Sequence, residues 1–453
     1  METPKREGAL HDEATQSGEG AGIVATLETP GNLRKLQRAL YLKAKQEPKF
    51  RFYALSDKVY RHDTLAHAYA LCRANRGAPG VDGVTFKDID ESGVEALLAE
   101  LKAELEQKRY RPGPVRRVYI PKANGGERPL GIPNIRDRVV QMAVKLVIEP
   151  IYEADFEADS YGFRPGKDAH GALAAIREAL EQGETWVIDA DIQAYFDSIP
   201  HDRLLKAVAE RIVDSGVLAL VKMFLEAPVQ DERDKGGPRK NETGTPQGGV
   251  ISPLLANIYM HLMDRNFRRH VEEGTLHGRV VRYADDFVLL SRRKPEEELK
   301  WLHRFMGRLG LTLHPDKTRL VNANREGFDF LGHNIQLRKG RVYLDIRKKA
   351  KQRIRDHLKE MTRTTGKKLE ELIGEFNSYI RGVRAYFRNV RRKTLATLDY
   401  YLTQKIARWD ARKRNQPRPS WSLVTGGALH RKHRLERFWS PWPRMAAPDK
   451  ACR

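Results

Sequence analysis

Two adjacent acids, Asp285 and Asp286, stand between the apolar runs Val280-Val281 and Phe287-Val288-Leu289-Leu290. Acids so placed imply a hairpin whose tip holds carboxylates over a hydrophobic base. Taken alone, an Asp-Asp pair is more often a solvated turn. Its meaning depends on a second run, Thr185 to Ile192, in which Trp186, Ile188, Ala190 and Ile192 share one face of a strand and Asp189 and Asp191 the other. Acids on so apolar a strand want a cation. Phosphoryl transfer by two divalent metals requires hard oxygen ligands around ions about 4 Å apart. An acid from one strand and acids from a neighbouring hairpin supply that set. Asp189 reads first as a structural acid that supports the ligands.

Two further segments have the residue types of a substrate site. Gly244-Thr245-Pro246-Gln247-Gly248-Gly249-Val250-Ile251-Ser252-Pro253 is a glycine-rich turn that leads into the helical LLANIYMHLMDRNF. Small residues let backbone approach a substrate closely, and Gln247 offers both an amide donor and an acceptor. Ile120 to Leu130 places Lys122 and Arg128 around a hairpin-like Asn-Gly-Gly turn, where they could grip a triphosphate. The bland readings are an ordinary loop before a helix and two solvated surface cations.

These segments need elements to position them. Short strand-like runs (VRRVYIP, TWVIDADI, RVVRYADDFVLLS) alternate with helical ones between 115 and 335, which predicts an α+β body. Amphipathic helices precede it, through Leu33, Leu36 and Leu40, through Leu65, Ala68, Tyr69 and Leu71, and over 94 to 107. Beyond about 340 the strands are expected to stop. Leu369, Leu372, Ile373, Phe376, Ile380, Val383 and Phe387 then mark one helix face. Residues 1 to 30 are polar and glycine-rich and read as a disordered leader without a secretion signal.

With 453 residues, two or three subdomains are expected. The 82 Lys and Arg outnumber 60 Asp and Glu, a net charge of +22 that suits a polyanionic partner. No apolar run is long enough for a membrane helix, so no membrane partner is expected. Cys72 and Cys452 are too few for a disulfide framework or a zinc site, which suits the cytoplasm.

In this order, RGAPGVDGVTF, IPKANGGERPLGIPNIRDRVVQ, YGFRPGKDAH, DADIQAYFDSI, GTPQGGVISPLLANIYM, VRYADDFVLL, LGLTLHPDKT and FDFLGH resemble the reverse transcriptases encoded by bacterial group II introns. The resemblance implies a right-hand polymerase, with fingers and palm over 31–340, an α-helical thumb/maturase region over 341–415 and a basic tail over 416–453, possibly DNA-binding. It implies that Asp191, Asp285 and Asp286 are the catalytic acids and bind two Mg²⁺ ions, with the backbone carbonyl of Ile192 as a further ligand. Lys122, Arg128 and Gln247 fall on nucleotide-contacting positions. Phe196 falls where a bulky ring discriminates against a ribose 2′-hydroxyl; core packing is its ordinary role, and the two can coexist. Arg164 and Lys317 also fall in family motifs.

NSYIRGVRAYFRNV and LDYYLTQKIARWDARKR resemble the thumb/maturase region, where cations interleaved with aromatics suit structured RNA. Arg381, Arg384 and Arg388, three and four apart, are the expected RNA-binding row. The implied partners are intron RNA, an RNA template with its DNA primer, deoxynucleoside triphosphates and target DNA. The oligomeric state is left open. The HNH-type endonuclease of the fullest family members is not expected here. Two other readings stand beside this one: a reverse transcriptase of bacterial defence or diversity generation, and an RNA-binding splicing factor with an inactive polymerase body.

Overall fold

Helix α1 (Gly31–Gln46), α2 (His62–Ala74) and α3 (Val94–Glu106) form where apolar residues recur at helical spacing, burying Leu33, Leu40, Leu65, Ala68, Leu98 and Leu101. The structure is a computed structural model that describes residues 27–121, 126–234, 236–419 and 428–439. The expected leader therefore lies outside the described residues up to 26, as do Lys122 and parts of the C-terminal tail. The chain divides into two units between Glu326 and Gly327.

In the first unit, β1 (Val115–Pro121) and β2 (Glu127–Ile132) form an antiparallel hairpin, and β4 (Val229–Asp231) joins β1 in parallel. Helix α4 (Ile135–Glu153) is buried along most of its length, with Val139, Val140, Ala143, Val144, Val147 and Ile148 inaccessible, and packs on α1 and α2. Helix α5 (Ala169–Glu181) is N-capped by Asp168, whose carboxylate accepts from the Gly171 amide at 2.7 Å. It packs on a four-stranded antiparallel sheet of order β5-β6-β3-β7, made of β3 (Trp186–Ala190), β5 (Arg279–Tyr283), β6 (Asp286–Ser291) and β7 (Arg319–Asn322).

Helices α6 (His201–Ala209) and α7 (Ser215–Glu226) pack together, and α6 also packs on α8 (Ser252–Glu272). Pro253 in the first turn of α8 costs no intrahelical bond. Helix α9 (Glu296–Leu309) has three glutamates at its positive N-terminus and the left-handed Gly310 as its C-cap.

The second unit opens with a meander of β8 (Phe328–Phe330), β9 (His333–Arg338) and β10 (Arg341–Ile346). Strand β10 corrects the expectation that strands stop near 340. Lys339 and Gly340, both left-handed at φ 50° and 71°, close a two-residue hairpin, and Leu344 and Ile346 are buried at alternate positions. Helices α10 (Lys348–Met361), α11 (Leu369–Tyr386) and α12 (Arg392–Lys413) follow. The apolar row expected on α11 is buried at Leu372, Ile373, Phe376, Ile380 and Val383. No helix among the described residues is long and apolar enough to cross a membrane.

Candidate active site

The acidic hairpin has the expected form. Tyr283 pairs with Asp286, so Ala284 and Asp285 are its two-residue tip, with Ala284 left-handed at φ 59°. Strand β3 pairs antiparallel with β6, Ala190 opposite Phe287. Asp191 directly follows Ala190 at the end of β3, and Asp286 directly precedes Phe287 at the start of β6. The three acids thus lie at the same end of adjacent strands. Asp285 is half-buried, and its pKa is raised by burial and then by the negative charge of Asp191, while Arg128 and Arg282 oppose the shift. Asp286 is exposed. Ile192, the proposed carbonyl ligand, is buried and bridged to Leu313.

Asp189 behaves as a structural acid, accepting from Arg319 Nη2 at 2.9 Å. Asp191 accepts from Lys317 Nζ at 2.7 Å, and its backbone carbonyl accepts from the His314 amide at 2.8 Å. Lys317, from the HPDKT motif, therefore reaches a candidate metal ligand. Arg164 is a brace: its guanidinium bonds the Glu153 carboxylate and the carbonyls of Glu157 and Ser160.

Among the described residues, no three or more His, Cys, Asp or Glu side chains are gathered closely enough to hold a metal as they stand. Asp191 is turned to Lys317 instead. The donor chemistry nevertheless fits a hard divalent ion: the carboxylates are oxygen donors, burial is the main reason the Asp285 pKa is raised and the charge of Asp191 adds to it, and a cation beside them would favour the ionised forms.

The substrate side is assembled from segments far apart in sequence. Arg128 on β2 donates through Nε to Gln247 Oε1 at 2.7 Å, and Gln247 Nε2 donates to Asp197 Oδ2 at 3.3 Å. Gly248, at φ 111°, lies so close to β2 that a Cβ would stand 2.3 Å from the Gly131 carbonyl oxygen. The Gly131 amide in turn donates to the Gln247 carbonyl at 2.5 Å. These contacts hold the glycine-rich loop against β2. A polar cleft beside them is lined by Arg117, Asp197, Asn241, Thr243 and Gln247. Phe196 is 9% exposed, with its ring edge-on to Tyr195 at 5.4 Å and its carbonyl accepting from the Thr245 amide at 2.7 Å. Core packing is thus part of its role.

One residue escaped sequence reasoning. Arg282, fully buried in β5, donates to Asp264, Asn257, Ser160 and the Ala284 carbonyl. Its signal was an arginine inside the otherwise apolar run before the acids.

On α11, Arg381 and Arg384 do not face solvent alone. Both donate to the Glu436 carboxylate, at 2.7 and 3.1 Å, and the Asn377 side chain bonds the Arg434 carbonyl and the Glu436 amide. Arg388 is exposed.

An antiparallel sheet with aspartates at one end, beside a glycine-rich loop and an Arg–Gln pair, defines the palm of a templated nucleic-acid polymerase. Residues 120–335 match the family described as Reverse transcriptase (RNA-dependent DNA polymerase), and residues 351–425 match Group II intron, maturase-specific domain. Protein YkfC of Escherichia coli (strain K12) is 37% identical over 352 residues, 70% of this chain and 91% of that protein. Group II intron-encoded protein LtrA of Lactococcus lactis subsp. cremoris is 30% identical over 353 residues, 64% of this chain and 57% of LtrA. An uncharacterized 91 kDa protein in the cob intron of Schizosaccharomyces pombe is 32% identical over 62% of this chain and 41% of its own length. The chain spans about half the length of the latter two. It belongs to the reverse transcriptase family and carries a group II intron maturase domain, so fingers and palm followed by a helical region describe its architecture.

Proposed function

We propose that the chain is a group II intron-encoded RNA-directed DNA polymerase that extends a DNA primer on an RNA template and binds its intron RNA to assist splicing and mobility. The observation that carries this reading is the β3–β6 register, which brings Asp191 beside the Asp285–Asp286 tip. Asp191, Asp285, Asp286 and the Ile192 carbonyl are the candidate ligands of two Mg²⁺ ions, which would supply Lewis acidity for nucleotidyl transfer. Around that centre the chain's own groups bind and orient. Arg128, aligned by Gln247, presents a fixed guanidinium edge to an incoming deoxynucleoside triphosphate; Lys122, outside the described residues, is the second cation proposed for the nucleotide. The Phe196 ring closes the space that a 2′-hydroxyl would need.

The proposed domains are fingers and palm over 31–340, a thumb/maturase region over 341–415 and a basic tail over 416–453, a candidate DNA contact. Intron RNA and target DNA are the proposed macromolecular partners, and the cytoplasm, where intron RNA is made in a bacterium, is the proposed location. Single-nucleotide extension of a DNA primer on an RNA template, with and without Mg²⁺, tests the reading. Extension that needs Mg²⁺ and is lost in Asp285→Asn supports it, and extension retained in that variant contradicts it.

A further inference from the structure

Arg282 lies in the strand that leads into the acidic tip, yet it is 1% exposed. Its guanidinium is satisfied on every side. Nε and Nη2 donate to the Asp264 carboxylate at 2.9 and 2.6 Å, Nη2 also to Ser160 Oγ at 2.7 Å, and Nη1 to Asn257 Oδ1 and the Ala284 carbonyl, both at 2.8 Å. The last contact matters most, because Ala284 is the left-handed residue of the turn and Asp285 follows it directly.

The same tip is held from another direction. Asn257 Nδ2 donates to the Gly162 carbonyl at 2.7 Å, and a Cβ on Gly162 would stand 2.3 Å from the Ala284 amide nitrogen. The Arg282 backbone is fixed as well: its amide donates to the Asp159 carbonyl at 2.9 Å, and its carbonyl accepts from the Tyr161 amide at 2.8 Å. A buried ion pair is a weak source of stability, since packed apolar residues of similar volume often do as well. What a guanidinium adds is direction, through donors fixed in one plane. Here one of those donors ends on the turn itself.

We propose that Arg282 is a positioning residue for nucleotide addition: held by Asp264, Asn257 and Ser160, it pins the Ala284 carbonyl and so aims the Asp285 carboxylate toward Asp191. The assignment rests on the polymerase reading for its chemistry. Its geometric content, a preorganised pair of carboxylates, is measurable without catalysis. Partners that orient metal ligands typically change affinity about 10- to 100-fold when removed.

The test is Mn²⁺ titration of the full-length chain by electron paramagnetic resonance, with thermal unfolding in parallel. The variants are Arg282→Lys, Gly162→Ala and Ser160→Ala. Arg282→Lys keeps the charge beside Asp264 but loses the fork that reaches Ala284. Gly162→Ala crowds the Ala284 amide and removes none of the Arg282 ion-pair groups. Both should weaken Mn²⁺ binding about tenfold or more in the folded protein, whereas Ser160→Ala, which removes one of the two acceptors of Nη2 and keeps the Nη1 bond to the Ala284 carbonyl, should change it less. In single-nucleotide addition, the first two should lower kcat with little change in KM for the nucleotide. Wild-type Mn²⁺ affinity in folded Arg282→Lys and Gly162→Ala overturns the proposal, as does a lowered melting temperature with unchanged affinity. Failure of the wild-type chain to extend a primer contradicts the polymerase reading separately.

Discussion

Arg381 donates to the Glu436 carboxylate at 2.7 Å, and Arg384 shares the same carboxylate at 3.1 Å. The C-terminal segment thus places an anion where an RNA phosphate would have to bind if this row holds RNA. Replacing Arg381, Arg384 and Arg388 with Ala should weaken intron RNA binding and flatten its salt dependence, because fewer condensed counterions are released. Glu436→Gln should act oppositely, tightening binding and steepening the slope. Filter binding across a salt series measures both, and an unchanged slope in the two variants removes the row from the RNA-binding surface.

Phe196→Ala should admit ribonucleotides. The ring is buried edge-on to Tyr195, so its removal opens space at a defined place. Discrimination that rests on a clash is lost when the clash is removed. The ratio of ribonucleotide to deoxyribonucleotide incorporation should rise about tenfold or more. A wild-type ratio at comparable activity excludes the role. Some loss of stability is also expected, about 3 kcal/mol, from the cavity that remains.

Gly248→Ala should damage nucleotide use more than RNA binding. A methyl group there meets the Gly131 carbonyl, and the φ of 111° is strained for any L-residue. The loop must move, and Gln247 moves with it away from Arg128. Nucleotide KM should rise several-fold while intron RNA affinity stays at the wild-type value. Steady-state extension kinetics beside RNA titration reveal whether the two separate.

Acid should destabilise the palm through His261. This buried imidazole packs against Phe156 at 5.5 Å, and its pKa is lowered to about 3 by burial and then by Arg265, Arg282, Arg164 and Arg268. The folded value lies below the ordinary 6.5, so the unfolded chain binds the extra proton first as pH falls. The stability contribution is complete above about 6.5 and is lost progressively toward about 3. Urea unfolding at pH 7 and pH 5 should show a fall in wild type that is smaller in His261→Gln. Equal falls in both would remove His261 as a source of the acid sensitivity.

The parts of the site carried by local pattern were readable in the sequence. Alternation from Trp186 to Ile192 and the apolar flanks of Asp285–Asp286 each fix a strand and its facing, because side chains on a strand repeat every two residues. The buried row on α11 was legible for the same reason at a period of 3.6. Pairings between distant segments were not. Arg282 finds Asp264 and Asn257 on α8 and Ser160 in the loop before α5, and Arg381 finds Glu436 after the last long helix. No local period encodes such partners. Strand β10 was missed because the polar Arg341, Tyr343 and Asp345 alternate with Val342, Leu344 and Ile346, and a lysine-rich helix follows immediately.

The central claim is that the acids at the β3–β6 end perform nucleotide addition while RNA is held elsewhere. Paired titrations of single-nucleotide addition and of labelled intron RNA binding, on wild type and Asp286→Asn, test it most directly. The account predicts that Asp286→Asn stops addition and leaves RNA affinity within about twofold of wild type. Addition at the wild-type rate, or RNA affinity lost to the same degree as activity, would contradict it.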